Sequence, residues 1–161
     1  MQDEFCPVSE SAYCGAGSIH TMLLHTTGTG TLQLWSGLPP SWADAVFHKL
    51  RAARGLTVSA VRRGGDTVFV YITAAAAGNV SVEVVDDPAW QQQAPQALPT
   101  SVTPVASANG KGVWTFRLQA GESVALWGAG RPQPKIAIEP LLGNASEFNW
   151  WGYNFDMKPL H

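Results

Sequence analysis

The chain has 161 residues, 45% of them hydrophobic and only 14% charged, against about 25% charged in a typical soluble domain. This length suits one domain with a core of its own and is too short for two full domains. Sixteen glycines and 11 prolines point to many tight turns and a β-rich fold. The net charge of -2 and the lack of a basic cluster argue against a nucleic-acid partner, and the lack of any run of about 18 apolar residues argues against a membrane span.

The opening MQDEFCPVSE is acidic and has no apolar h-region, unlike a signal peptide; a parent that is secreted or lysosomal would carry its signal upstream of Met1. Cys6 and Cys14 are near enough in sequence to form a disulfide or to stay as two thiols, and their spacing, with no further cysteine, does not suit zinc. From Glu10 to His25, Ala12, Ala16, Ile19, Leu23 and Leu24 recur at spacings of three and four, which predicts an amphipathic helix. Ser9 or Ser11 can cap it, and Gly28 and Gly30 end it. One such helix before a β region suggests a helical partner outside this stretch.

TLQLWS, residues 31–36, reads as a short strand, and GLPPSW, 37–42, as a loop because its prolines exclude helix. Residues 43–50 fit a strand or a helical turn. LTVSAVRR (56–63) and DTVFVYIT (66–73) alternate about Gly64-Gly65 and predict a hairpin. VSVEVVD (80–86) is a further strand, whereas 87–109, rich in Pro, Gln, Ala and Ser, reads as a long surface loop. GVWTFRL (112–118) and ESVALWG (122–128) are two more alternating strands joined by Gln119-Ala120-Gly121. The fold class expected is therefore mainly β: an antiparallel β-sandwich preceded by one amphipathic helix. Residues 131–161 have no firm assignment; PQPKIAIEPLL fits a last strand or an extended wrap, and EFNWWGYNFDM concentrates aromatic residues.

Few residues point to chemistry. Glu83 lies mid-strand opposite the apolar alternation and reads as a solvated face residue; Asp86-Asp87-Pro88 reads as a strand-ending turn. His20 and His25 are five apart, not the i, i+4 spacing of paired metal ligands, and no nucleophile elbow, phosphate loop or dinucleotide fingerprint occurs. No metal and no cofactor is expected. Trp35, Trp114 and Trp127 sit on strands and read as core; Trp42 and Trp90 fall in loops. Trp150, Trp151, Tyr153 and Phe155 form the best surface patch, for packing on another domain or for stacking on a sugar. Asn79-Val80-Ser81 and Asn144-Ala145-Ser146 fit the N-glycosylation pattern.

Several segments in order carry a resemblance: Met22-Leu23-Leu24, Leu32-Gln33-Leu34, Leu38-Pro39-Pro40-Ser41-Trp42 and Leu50-Arg51-Ala52-Ala53-Arg54-Gly55. Together they resemble the barrel-to-sandwich junction of glycoside hydrolase family 95, the α-L-fucosidases and related α-L-galactosidases. The likeness is specific over residues 10–73 and general to 127. It implies that 1–30 is the remnant of the last helix of an (α/α)6 catalytic barrel, 31–130 the C-terminal β-sandwich, and 131–161 an aromatic-rich tail. The implied function is the accessory, non-catalytic end of an inverting α-L-fucosidase-like hydrolase. Its partners would be the catalytic barrel and, through the parent, fucosylated or galactosylated glycans. The other reading is a stand-alone carbohydrate-binding or protein-interaction module, with Trp150, Trp151 and Tyr153 as the binding residues.

The resemblance also places Glu10 at the family's catalytic Asp, within an Asp-Gly-Asn-Phe-Gly segment that here reads Glu10-Ser11-Ala12-Tyr13-Cys14. Glu10 keeps the charge but adds a methylene, and a displacement of about 1 Å can cost about 10²-fold in rate. As an acid at a helix N-terminus it is equally suited to the dipole.

Overall fold

The structure, a computed structural model, describes residues 9–85, 87–106 and 112–139; for 9–12 it describes the backbone alone. Helix α1 (Ser9–Leu23) runs directly into β1 (Leu24–Thr26), followed by β2 (Thr31–Leu34) and β3 (Ala45–Arg51). A 3-10 turn (Ala53–Gly55) leads to the hairpin β4 (Leu56–Arg63) and β5 (Asp66–Ala74), then β6 (Gly78–Val84). The short helix α2 (Pro88–Gln92) precedes β7 (Gln96–Leu98), β8 (Val105–Ala106), β9 (Val113–Leu118) and β10 (Ser123–Trp127).

The strands form two five-stranded sheets, β1-β2-β6-β9-β8 and β3-β4-β5-β10-β7. Alternation sets the core between them. Leu32, Leu34, Val80, Val82, Val84, Phe116 and Leu118 point inward from the first sheet; Val58, Ala60, Val70, Ile72, Val124 and Leu126 answer from the second. The expected β-sandwich with a leading helix is the architecture found. Trp35, Trp114 and Trp127 are buried as expected. The β4–β5 hairpin closes through Gly64 (φ 56°) and Gly65 (φ 87°), the consecutive left-handed pair that matches the twist of the strands.

Three local expectations change, and one left open is decided. Helix α1 stops at Leu23, before the glycines, because Leu24 to Thr26 pair antiparallel with Leu34 to Leu32. The freed helix carbonyls are then used by the chain beyond β2: Trp35 N donates to Leu23 O at 3.1 Å and Gly37 N to Met22 O at 3.4 Å. The first sheet is mixed rather than wholly antiparallel, since β2 pairs parallel to β6 in the register Leu32↔Val82. Residues 43–50, open between strand and helical turn, supply β3. The expected loop 87–109 is partly ordered into α2, β7 and β8, with Trp90 fully buried rather than in a loop.

The described part of the C-terminal stretch, 131–139, forms no strand and wraps the outer face of the second sheet. Ile136 and Ile138 pack on Val61, Phe69 and Trp127. Arg131 holds the start of the wrap: its carbonyl accepts from Trp127 Nε1 (3.2 Å) and Gln96 Nε2 (2.9 Å), and its guanidinium pairs with Asp66 at 3.1 Å.

One glycine is fixed by both conformation and space. Gly112 has φ 64°, and a Cβ there would stand 2.7 Å from the backbone Cα of Gln91. Gly112→Ala is expected to cost about 2 kcal/mol, left-handed strain and the α2 clash together, read as a lower urea midpoint. An unchanged midpoint would show that α2 does not sit against Gly112.

Candidate functional site

The best-formed site is on the outer face of the second sheet, built around an irregularity in β3. The β3–β4 register shifts between Phe47 and Leu50, and Lys49 takes φ 56°. This bulge turns His48 and the Lys49 amide toward Ser59 of β4. Lys49 N donates to Ser59 Oγ at 2.9 Å, and Ser59 Oγ lies 3.4 Å from His48 Nδ1. Ser59 stands opposite Tyr71 of β5, and Tyr71 opposite the small Ala125 of β10. A row of polar side chains thus crosses adjacent strands, and the 131–139 wrap walls it on one side. The result is a groove of about 580 Å³ lined by His48, Ser59, Phe69, Tyr71, Ile136 and Ile138.

Ser59 and His48 do not form a hydrolytic pair. Ser59 is 4% exposed and its oxygen already accepts a backbone amide. Among the described residues no carboxylate lines the groove to orient the imidazole, so the arrangement that activates a serine is missing from them. Ser59 fastens the bulge and positions His48. Tyr71 is 37% exposed.

A second notch, about 420 Å³, lies between the end of α1, β1 and the end of β3, with His20, His25 and Arg51 in its lining. The two histidines, expected on one helix, lie on α1 and β1 respectively. Among the described residues no group of three or more His, Cys, Asp or Glu is placed to hold a metal ion, and no helix is long and apolar enough to cross a membrane.

Glu10 lies in the first turn of α1, but its side chain is outside the described residues, as are Trp150, Trp151 and Tyr153 and also Cys6. Cys14 is exposed on α1. Glu83 is half-buried rather than freely solvated, since its carboxylate accepts from Gln33 Nε2 at 2.8 Å across the parallel pair. Asp87 is structural and buried: it accepts from Thr67 N and Ala89 N. Sequence reasoning missed His48, Ser59 and Tyr71 as a group. The available signal was the outward phase of the hairpin, Thr57-Ser59-Val61 against Phe69-Tyr71-Thr73; the bulge that brings His48 to it leaves no mark in the local pattern.

No family model matches the chain, and no curated protein matches it.

Proposed function

We propose that this chain is the C-terminal portion of an α-L-fucosidase-like glycoside hydrolase, in which α1 belongs to a helical catalytic domain and the sandwich is an accessory domain. The observation that carries this reading is the position of α1. Its last residues are tied into the first sheet, yet Tyr13 is 76% exposed, and Cys14, Ala16, Gly17 and Ser18 are exposed with it. A helix of 15 residues is marginal in water unless a face is packed, and small side chains permit another helix to approach closely. The ordered segments of the resemblance fit this reading: Leu32-Gln33-Leu34 falls in β2, and Leu50 to Gly55 spans the end of β3 and the 3-10 turn.

In such a parent, an upstream carboxylic acid protonates the leaving glycosidic oxygen. A carboxylate at the position of Glu10 activates water on the opposite face of the sugar, with inversion. The sandwich contributes no reacting group; it closes one end of the barrel and fixes the helix that bears the base. The chain by itself is expected to hydrolyse nothing.

The size of the native protein tests this. An antibody raised against residues 56–127 is expected to detect a polypeptide several times larger than 17.2 kDa. A band at 17.2 kDa would contradict the reading and favour a stand-alone binding module.

A further inference from the structure

We propose that the groove between β3, β4, β5 and the 131–139 wrap is a binding site for a neutral saccharide ring. Its lining divides into two kinds of surface. Ile136 and Ile138, packed over the buried Phe69, make an apolar wall, whereas His48 and Tyr71 offer groups that both donate and accept hydrogen bonds. Among the described residues none of the lining side chains is a carboxylate, lysine or arginine, so no lining group among them selects for an ionic ligand. At about 580 Å³ the groove falls within the range of small-ligand sites, about 300–1,000 Å³.

The sheet also limits what can bind. The groove lies on a face, not at an edge. Strand β4 is paired on both sides by β3 and β5, and β5 by β4 and β10, so their ladders are closed to an added peptide strand. Recognition must come from side chains. A pyranose ring suits that demand: its C–H face packs on an aromatic ring and aliphatic wall, and its neighbouring hydroxyls each donate and accept, as imidazole and phenol do. Tyr71 is 37% exposed, so its ring can serve as the platform. Ser59 acts through His48, as a positioning residue held by the Lys49 amide.

This site does not depend on the proposed docking of α1, and its test is separate. Proton–carbon NMR of the full 161-residue chain would be followed during titration with methyl α-L-fucopyranoside and methyl β-D-galactopyranoside, with inorganic sulfate as the charged comparison. At least one glycoside is expected to shift the Tyr71 and His48 ring signals saturably in the millimolar range, and sulfate is expected not to. Tyr71→Ala should weaken binding at least about tenfold, and Tyr71→Phe by about 3- to 10-fold through loss of one hydrogen bond. His48→Ala is a second variant, on an exposed side chain, should Tyr71→Ala disturb folding. Unchanged Tyr71 and His48 signals at tens of millimolar glycoside would overturn the proposal. So would binding that survives both alanine variants, saturation by sulfate alone, or shifts confined to the indoles of Trp150 and Trp151. Saturable groove binding in a native protein of 17.2 kDa would uphold this site while removing the hydrolase reading.

Discussion

Trp35→Ala is expected to lower stability by about 4 kcal/mol, the largest effect of any single substitution considered for this chain. Trp35 follows β2 in the first sheet, but its ring belongs to the second. It is 1% exposed and meets Phe47 of β3 edge-on, with centroids 5.2 Å apart and planes at 62°. Its Nε1 donates to Thr67 Oγ1 of β5 at 3.1 Å. One side chain therefore ties the two sheets together by packing and by a buried hydrogen bond. Alanine would leave a cavity of indole size and an unsupported Thr67 hydroxyl. Domains of this kind are held by about 5–15 kcal/mol in total, so the variant should unfold at a much lower urea concentration with an unchanged slope. Trp35→Phe, which keeps a ring against Phe47, should lose less than half as much. A loss below about 1 kcal/mol for Trp35→Ala would mean that the sheets do not pack through this ring.

Asp87→Ala is expected to cost about 3 kcal/mol, for a different reason. Asp87 is 1% exposed and accepts two backbone amides. Its Oδ2 takes Thr67 N at 2.9 Å, and its Oδ1 takes Ala89 N at 3.1 Å, which caps α2. Pro88 at the first turn needs no such partner, so the cap falls where a free amide remains. Removing the carboxylate orphans a buried amide of β5 and releases the helix that buries Trp90. Asp87→Asn retains one acceptor oxygen and should be intermediate. Urea unfolding of the two variants checks this, and equal losses for Asn and Ala would show that the hydrogen bond retained by Asn contributes nothing. Thr67 links both predictions, because its hydroxyl serves Trp35 and its amide serves Asp87. The double variant should therefore depart from additivity by at least about 0.5 kcal/mol.

These residues also show what the sequence made legible. The β4–β5 hairpin was readable because Gly64-Gly65 encodes its own turn and the flanking alternation fixes which face is buried. Trp114 was readable for the same reason, being in phase with Phe116 and Leu118, whereas Trp35 is turned inward by a positive φ of 67° just beyond β2 and Trp127 is buried on the outer face by the 131–139 wrap. The end of α1 was not readable, because it is decided by hydrogen bonds from Trp35 and Gly37, beyond β2 in sequence, and by pairing with β2. The parallel β2–β6 pair joins residues about fifty positions apart, and no local period records it. In 87–109, polar composition hid a helix whose formation rests on Asp87 and on Trp90, which is buried against the sandwich. The groove was illegible for a related reason: a one-position irregularity at Lys49 turns His48 toward Ser59, and a strand pattern read with strict period two misses it.

The most direct measurement is made on the native protein, captured with the antibody against residues 56–127 and supplied with an α-L-fucoside while proton NMR follows the anomer first released. The account predicts hydrolysis that stays with the captured polypeptide and first yields the inverted β-anomer. A captured polypeptide that leaves the fucoside intact, or that first releases the α-anomer, would contradict it.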